Sequence, residues 1–458
     1  MQESERGSQP GTPADAAGLR THPLTALTTG LLFSLPAAAA VVFSFVQGGN
    51  LPDLPWWLLL AIPVGIAVGG FVVGTAIGYI SWYFTTYVID GAELRVDSGV
   101  LWKSSRRVPY ERLQSVDIAQ PLLARIVGLS ELRMETAGGA DSRTSLRYLR
   151  LTDAESLRRI LLDRAHGTGA PAQTPAGEPE DLMTAGPRQV LSQVSPVRLL
   201  LGTLVSLDFA VALLGGLAFL VILLFTDVPL AAVGGLIPFA TVLVRIVANR
   251  VAAQWDSTLS EGERGLRIER GLLSRTSQTV PWERVQGLAV EEPLVWRRLG
   301  WARLRVDVAG YGNETSDESG EVTSTLVPIA DRHVVLTLLE HVLHSRPDTV
   351  NRIAPPRRSW PVAPLVWRWR WVGADSASFI GVEGWFQRRT NVVPHHKTQS
   401  VEIRQGPWQR RLAVATVEVH TPNGPVDADG RHLDAETARD VALHQVERAR
   451  LARSATGS

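Results

Sequence analysis

Asp208 sits in the stretch LVSLDFAVALL, where every neighbour but serine is apolar. A carboxylate at the centre of a membrane-crossing helix costs about 2.5–3.5 kcal/mol, so such a residue must face another helix, face a wet cavity, or hold a proton. A role in moving protons or solutes is one reading; a helix-packing contact is the other. Two histidines, His341 and His344, stand three apart in LTLLEHVLHSRP. No third ligand accompanies them, and the end of a helix suits histidine because of the carbonyl dipole, so no metal is expected there. His395 and His396 fall where the related stretches carry Tyr110-Glu111 and Trp282-Glu283, as turn residues of variable type. The chain has no cysteine, no GxxxxGKS/T phosphate loop, no GxSxG nucleophile turn and no HExxH. Neither a catalytic residue nor a cofactor nor a metal is expected, and the protein reads as something other than an enzyme.

Arginine supplies the other candidates. Between Asn351 and Arg411, ten arginines and one lysine stand against Asp375, Glu383 and Glu402, a net of +8. Held beneath an anionic leaflet, each well-placed charge of this kind contributes about 1 kcal/mol of attraction. Arg106 with Arg107, Arg388 with Arg389 and Arg410 with Arg411 are the pairs to consider as contacts for anionic lipid headgroups or a partner protein; a solvated surface is the alternative for each. WRWRW, Trp367 to Trp371, occupies a first-strand position, with Trp inward and Arg outward. No nucleic-acid partner is expected.

These residues need elements to hold them, and the most visible elements are apolar. Leu24 to Val46 and Trp56 to Phe84 are charge-free runs long enough for the roughly 20 residues of a membrane-crossing helix. A second zone, Val197 to Ala248, divides at TDVP into LLLGTLVSLDFAVALLGGLAFLVILLF and PLAAVGGLIPFATVLV. Four helices in two hairpins follow, with no polar stripe of the kind a soluble helix shows. Gly65 with Gly69, and Gly70 with Gly74 and Gly78, have the spacing that lets another helix approach closely, either within the bundle or at a seam of self-association. The hairpin tips QGGNLPDLP and TDVP lack Lys and Arg, whereas the other ends carry Arg20, Arg95, Arg188, Arg198, Arg245 and Arg250. By the positive-inside rule the tips face out, and both termini lie on the cytoplasmic side of a bacterial inner membrane.

The remainder is written three times. VPYERLQSVDIAQPLLARIVGL from Val108, VPWERVQGLAVEEPLVWRRLGW from Val280 and VPHHKTQSVEIRQGPWQRRLAV from Val393 share a proline, a glutamine five residues later and a glycine ten residues before the proline: Gly99, Gly271 and Gly384. Period-two alternation surrounds each proline, which is expected to open a strand because it has no N–H for the ladder. A short helical step follows, then two more strands and a closing helix. The copies resemble the membrane-flanked bacterial pleckstrin-homology-like domain family, and the whole arrangement is similar to its YdbT-like members. The third copy departs from the pattern: Gly406 replaces the acid or amide before Pro407, and Val414 stands where the others have Gly128 and Gly300.

That resemblance implies a pleckstrin-homology-like fold for each copy and leaves the activity open. The expected fold class is an α+β membrane protein, with four transmembrane helices and three PH-like β-barrel or sandwich modules each ending in an α-helix. The expected boundaries are a disordered tail at 1–22, hairpins at 23–84 and 196–250, modules at 85–165, 251–345 and 363–453, and linkers at 166–195 and 346–362. The expected function is a membrane-tethered recognition or assembly platform for anionic lipid, other membrane proteins or further copies of itself. The alternative is a transporter subunit centred on Asp208.

Overall fold

The computed structural model describes residues 19–20, 30, 34, 55–90, 93–99, 104–136, 143–165, 189–225, 235–262, 265–309, 324–422, 424 and 426–456. The chain forms two compact units: Met1–Val116 with Leu123–Ala137 and Arg143–Ala172, and Asp117–Leu122 with Gly138–Ser142 and Gln173–Ser458.

In the first unit, helix α1 (Trp56–Tyr83) is apolar on all sides, with no moment to turn one face inward. Of its glycines, Gly74 and Gly78 are buried, Gly70 is half-buried, and Gly65 and Gly69 are exposed. A methyl group on Gly65 or Gly69 would meet nothing within 4 Å. The close approach is made by Gly30, where a Cβ would lie 2.1 Å from Thr75 Oγ1 and 2.8 Å from the Phe71 carbonyl oxygen.

Three antiparallel strands follow: β1 (Thr86–Ile89), β2 (Glu93–Ser98) and β3 (Ser104–Pro109). Leu19–Arg20 pairs with Thr86 and Tyr87, so the expected disordered tail holds at least one ordered contact. Next come β4 (Leu113–Pro121), α2 (Leu122–Ile126), β5 (Leu129–Thr136), β6 (Arg143–Arg150) and α3 (Leu151–Ala165). Leu94, Leu132, Met134, Leu146 and Leu161 form fully buried parts of the core.

The second unit begins with β7 (Gln189–Gln193), α4 (Pro196–Leu204), α5 (Leu207–Leu224) and α6 (Ile237–Val247), which runs on as a π turn over Ala248–Ala252. Four membrane-length helices were expected; among the described residues two, Ala61–Tyr83 and Leu207–Leu224, are long and apolar enough. The run from Leu24 to Val46 lies almost wholly outside the described residues, as do residues 166–188 of the expected linker. α6 has only 11 residues. The long apolar run before TDVP is two helices, because Ser206 starts a new one: its side chain accepts from the Phe209 N–H at 3.4 Å.

The second module contains β8 (Thr258–Gly262), β9 (Gly265–Arg270), β10 (Ser274–Pro281), β11 (Val285–Pro293), α7 (Leu294–Leu299), β12 (Trp301–Val308), β13 (Thr325–Asp331) and α8 (Arg332–Leu343). The third contains β14 (Trp371–Ala374), β15 (Ser378–Glu383), β16 (Gln387–Pro394), β17 (Ser400–Arg404), α9 (Pro407–Arg411), β18 (Val414–His420), β19 (Ala428–Asp434) and α10 (Ala435–Thr456). The order of elements matches in all three modules. β11 and β16 pair antiparallel, and a six-stranded sheet runs β13-β12-β11-β16-β15-β14. The end of β4 belongs to this unit too, with Ile118–Pro121 paired to Ser274–Ser277.

The repeated proline ends a strand where the sequence reading has it open one. Pro109, Pro281 and Pro394 close β3, β10 and β16, and a three-residue 3-10 turn follows each, at Tyr110–Arg112, Trp282–Arg284 and His395–Lys397. Its fixed φ suits the entry to such a turn. His395 and His396 are turn residues, as expected. WRWRW is not a strand: Trp367–Trp369 is a 3-10 turn and β14 begins at Trp371. Gly128 and Gly300 have φ of 72° and 71°, and the third left-handed residue is Ala413 at 49°, not Val414, which starts a buried strand.

Gly384 has φ of 94°, and a Cβ there would fall 2.0 Å from the Gln387 carbonyl oxygen. Gly384→Ala is therefore expected to destabilise the third module by about 1–3 kcal/mol, read as a lower denaturant midpoint with an unchanged slope.

Candidate functional site

Two adjoining cavities in the second unit share Leu207, Asp208 and Arg250. The first, about 770 Å³, is a groove between α5 and α6 walled by Val211, Ala212, Phe239, Val242 and Ile246. Gly215 and Gly216 of α5 let the Phe239 side chain of α6 pack closely, since a Cβ there would stand 3.0 and 3.2 Å from it. The second, about 310 Å³, is polar and is lined by Arg250, Glu291, Arg303, Arg305 and Arg389. An apolar slot thus opens into an arginine-lined chamber.

Each charged group is placed by an identifiable local rule. Asp208 is in the first turn of α5, where a carboxylate suits the positive end of the helix dipole. It is not deep in the apolar run, as the sequence suggested, because the helix breaks at Ser206. Arg250 reaches it from the π turn, with Nη2 2.5 Å from Asp208 Oδ2. Arg303 and Arg305 are two apart on β12, hence on one face of the strand. Glu291 of β11 pairs in register with both Arg303 and Arg389.

Among the described residues lining the second cavity, arginines outnumber carboxylates. Among those lining residues Glu291, 4% exposed, faces three guanidinium groups. Its oxygens lie 3.2 Å from Arg305 Nη1, 3.8 Å from Arg303 Nη1 and 3.8 Å from Arg389 Nε. Arg305 also donates to Ser324 Oγ at 2.8 and 3.2 Å, and Arg303 lies over the Trp296 ring at 5.5 Å from its centre. Among the described residues that line this cavity there are four arginines and two carboxylates, with Asp208 matched to Arg250. Guanidinium groups gathered this closely can take up an anion that joins them. A phosphate, which accepts planar bidentate guanidinium pairs, suits such a cluster.

Of the candidate arginines, Arg389 enters this chamber beside Asp208, a meeting that no linear pattern signals. Arg388 points to a different carboxylate, Glu292 at 3.8 Å, which Arg332 also holds at 2.9 Å. Burial, then the neighbouring Arg332, Arg352 and Arg297, push the Arg388 guanidinium below its ordinary pKa, with Glu292 opposing. Arg107 lies 3.7 Å from Glu93, and Arg410 and Arg411 are exposed at the end of α9. Neither pair is among the residues lining the two cavities.

Sequence reading missed Glu291, Arg303 and Arg305. The signal was present as two adjacent acids in the otherwise apolar VQGLAVEEP and as arginines two apart in ARLRVDV. His341 pairs with Glu261 at 2.9 Å, and His344 caps its helix in the left-handed region. Glu402, Glu418 and His420 come close enough to hold one ion. Arg404 already occupies that cluster, 3.1 Å from Glu418 and 3.4 Å from Glu402, so its charge is met by the protein.

A family model described as "Bacterial PH domain" matches residues 31–165, 201–346 and 349–450, one match over each repeat. A similar curated protein is "UPF0699 transmembrane protein YdbT" of Bacillus subtilis (strain 168), 21% identical over 281 residues, 56% of this chain. The chain spans about half the length of that relative, 56% of it. No solved structure matches.

Proposed function

Since the chain belongs to the bacterial PH domain family, with three PH modules and candidate membrane-spanning helices, we propose that it is a membrane-tethered recognition platform that binds an anionic phospholipid. The modules face the cytoplasm in this reading. The acyl chains lie in the groove between α5 and α6, and the phosphate enters the arginine chamber. The observation that carries it is the gathering of Arg303, Arg305 and Arg389 around Glu291, at the foot of an apolar slot. In this arrangement Asp208 positions Arg250.

The test is lipid retention by the detergent-purified full chain, measured by native mass spectrometry with phosphatidylglycerol and phosphatidylcholine. Phosphatidylglycerol is expected to be retained selectively. Arg250→Gln and Arg389→Gln should each weaken it about tenfold, equivalent to about 1.4 kcal/mol. Arg410→Gln with Arg411→Gln should leave it unchanged. Equal loss in all variants would reduce the effect to diffuse surface charge and end the proposal. A proton or solute flux abolished by Asp208→Asn, with lipid retention intact, would support the transporter reading in its place.

A further inference from the structure

The two internal strand pairings that join repeats follow one rule. In the first, Ile118, Ala119, Gln120 and Pro121 face Ser277, Thr276, Arg275 and Ser274. In the second, Val290, Glu291, Glu292 and Pro293 face Thr390, Arg389, Arg388 and Gln387. Counted from the hairpin glycines Gly271 and Gly384, the registers are identical: Ser274 and Gln387 each come three residues later and face the proline that ends the opposite strand. One strand type, the one after the glycine turn, therefore pairs with another type, the one after the 3-10 turn.

Each module carries one strand of each type, so two pairings consume two of each. The unused ones are β3 of the first module and β17 of the third. Among the described residues, β3 pairs only with β2, and β17 pairs only with β18. β17 also shows what is missing. Ile403 is 45% exposed, whereas the residues at its position in the other two copies, Ile118 and Val290, are 5% and 1% exposed. Ser104, Ser105 and Arg107 of β3 are likewise exposed. An uncovered edge strand with an outward isoleucine is a template for another strand.

We propose that β17 of one chain receives β3 of a second copy in the register already used twice within the chain. That register sets Ile403 opposite Ser105, Glu402 opposite Arg106, Val401 opposite Arg107 and Arg404 opposite Ser104. Glu402 and Arg106 are oppositely charged, and the serines leave room for the isoleucine much as Ser277 and Thr390 do at the two internal joints. The occupant is a second copy because the strand that this edge accepts is one the chain itself makes and leaves over. Because the two surfaces differ, the contact is heterologous and builds rings or rows of chains, not two-fold dimers. It does not depend on the lipid site.

The chain has no cysteine, so introduced thiols report without background. Two differently tagged full-length chains, one carrying Ile403→Cys and the other Ser105→Cys, are co-expressed and oxidised in native membranes. Opposed residues of an antiparallel pair have Cα atoms about 4.5–5.5 Å apart, within the range a disulfide spans. A disulfide-linked species carrying both tags is expected, with at least fivefold greater yield than Ile403→Cys with Arg106→Cys, whose side chain leaves the opposite face of the strand. Adding Glu402→Arg to the Ile403→Cys chain should lower that yield, and combining it with Arg106→Glu on the Ser105→Cys chain should restore it. Absence of the mixed species, or equal yield from the Arg106→Cys control, would overturn the proposal.

Discussion

Trp296→Ala is expected to be among the most damaging single substitutions in the second module, lowering its stability by about 3–5 kcal/mol. The indole is buried on α7, and its Nε1–H donates to the Gly202 carbonyl at 3.1 Å. It thereby joins α4, the helix that leads into the candidate membrane span α5, to the body of the module. The fit is tight on the other side as well: a Cβ on Gly202 would stand 2.4 Å from Ile329 Cδ1 and 3.3 Å from Trp296 Cζ2. Truncation removes a large apolar contact and the partner of a buried carbonyl together. Thermal unfolding of the purified chain should shift down by roughly 6–20 °C. Gly202→Leu should shift it in the same direction by overpacking, costing about 1–3 kcal/mol. Trp296 also lines the arginine chamber, so phosphatidylglycerol retention should fall with stability in both variants. A melting temperature unchanged in Trp296→Ala would show that α4 is not held by this contact.

The second large effect is a pH dependence rooted in Asp307. This carboxyl lies at the end of β12, 2% exposed, with Oδ2 buried and unmatched by any hydrogen-bond donor among the described residues. Burial, reinforced by the charge of Asp427, raises its pKa to about 7 from 3.8, against the opposing Val426 backbone hydrogen bond and Arg305. The folded protein thus keeps a proton that the unfolded chain releases near pH 4. Between those two values the native state binds more protons, so stability falls as pH rises, and it levels off above about pH 7. The full span is on the order of 4 kcal/mol. Asp307→Asn should flatten this slope and be more stable than the parent at pH 8. Denaturant unfolding at pH 5 and pH 8 decides it: equal slopes in parent and variant would mean that Asp307 is ionised throughout. The same carboxyl abuts Gly424, where a Cβ would fall 1.8 Å from Oδ1, so its ionisation bears on the seam between the second and third modules.

Much of the architecture was legible because it is local. The glycines before each proline read as turn residues, and Gly99, Gly271 and Gly384 have φ of 109°, 113° and 94°. The module order was readable from repeated offsets, and each helix closing a module stood out by its period. What misled was also local. Pro109, Pro281 and Pro394 fit either end of a strand, and the 3-10 turn that decides between them has no clear composition. Ala413 was overlooked because alanine seldom adopts the left-handed conformation that Gly128 and Gly300 adopt without strain.

The candidate site was legible only in pieces. Asp208 and Arg389 were each singled out, for unrelated reasons, and nothing in a linear reading places residues 181 positions apart in one chamber. Ser206 moved Asp208 from a supposed mid-helix position to a helix start, because a capping hydroxyl can interrupt an apolar run that hydropathy averages across.

By itself the sequence determined the threefold repeat, the turn glycines and the apolar segments, since hydropathy, φ preference and period act over a few residues. Tertiary structure alone decided which arginines share a carboxylate and which strands join one repeat to the next. Those outcomes depend on distance between residues far apart in the chain, and no short-range preference encodes that distance.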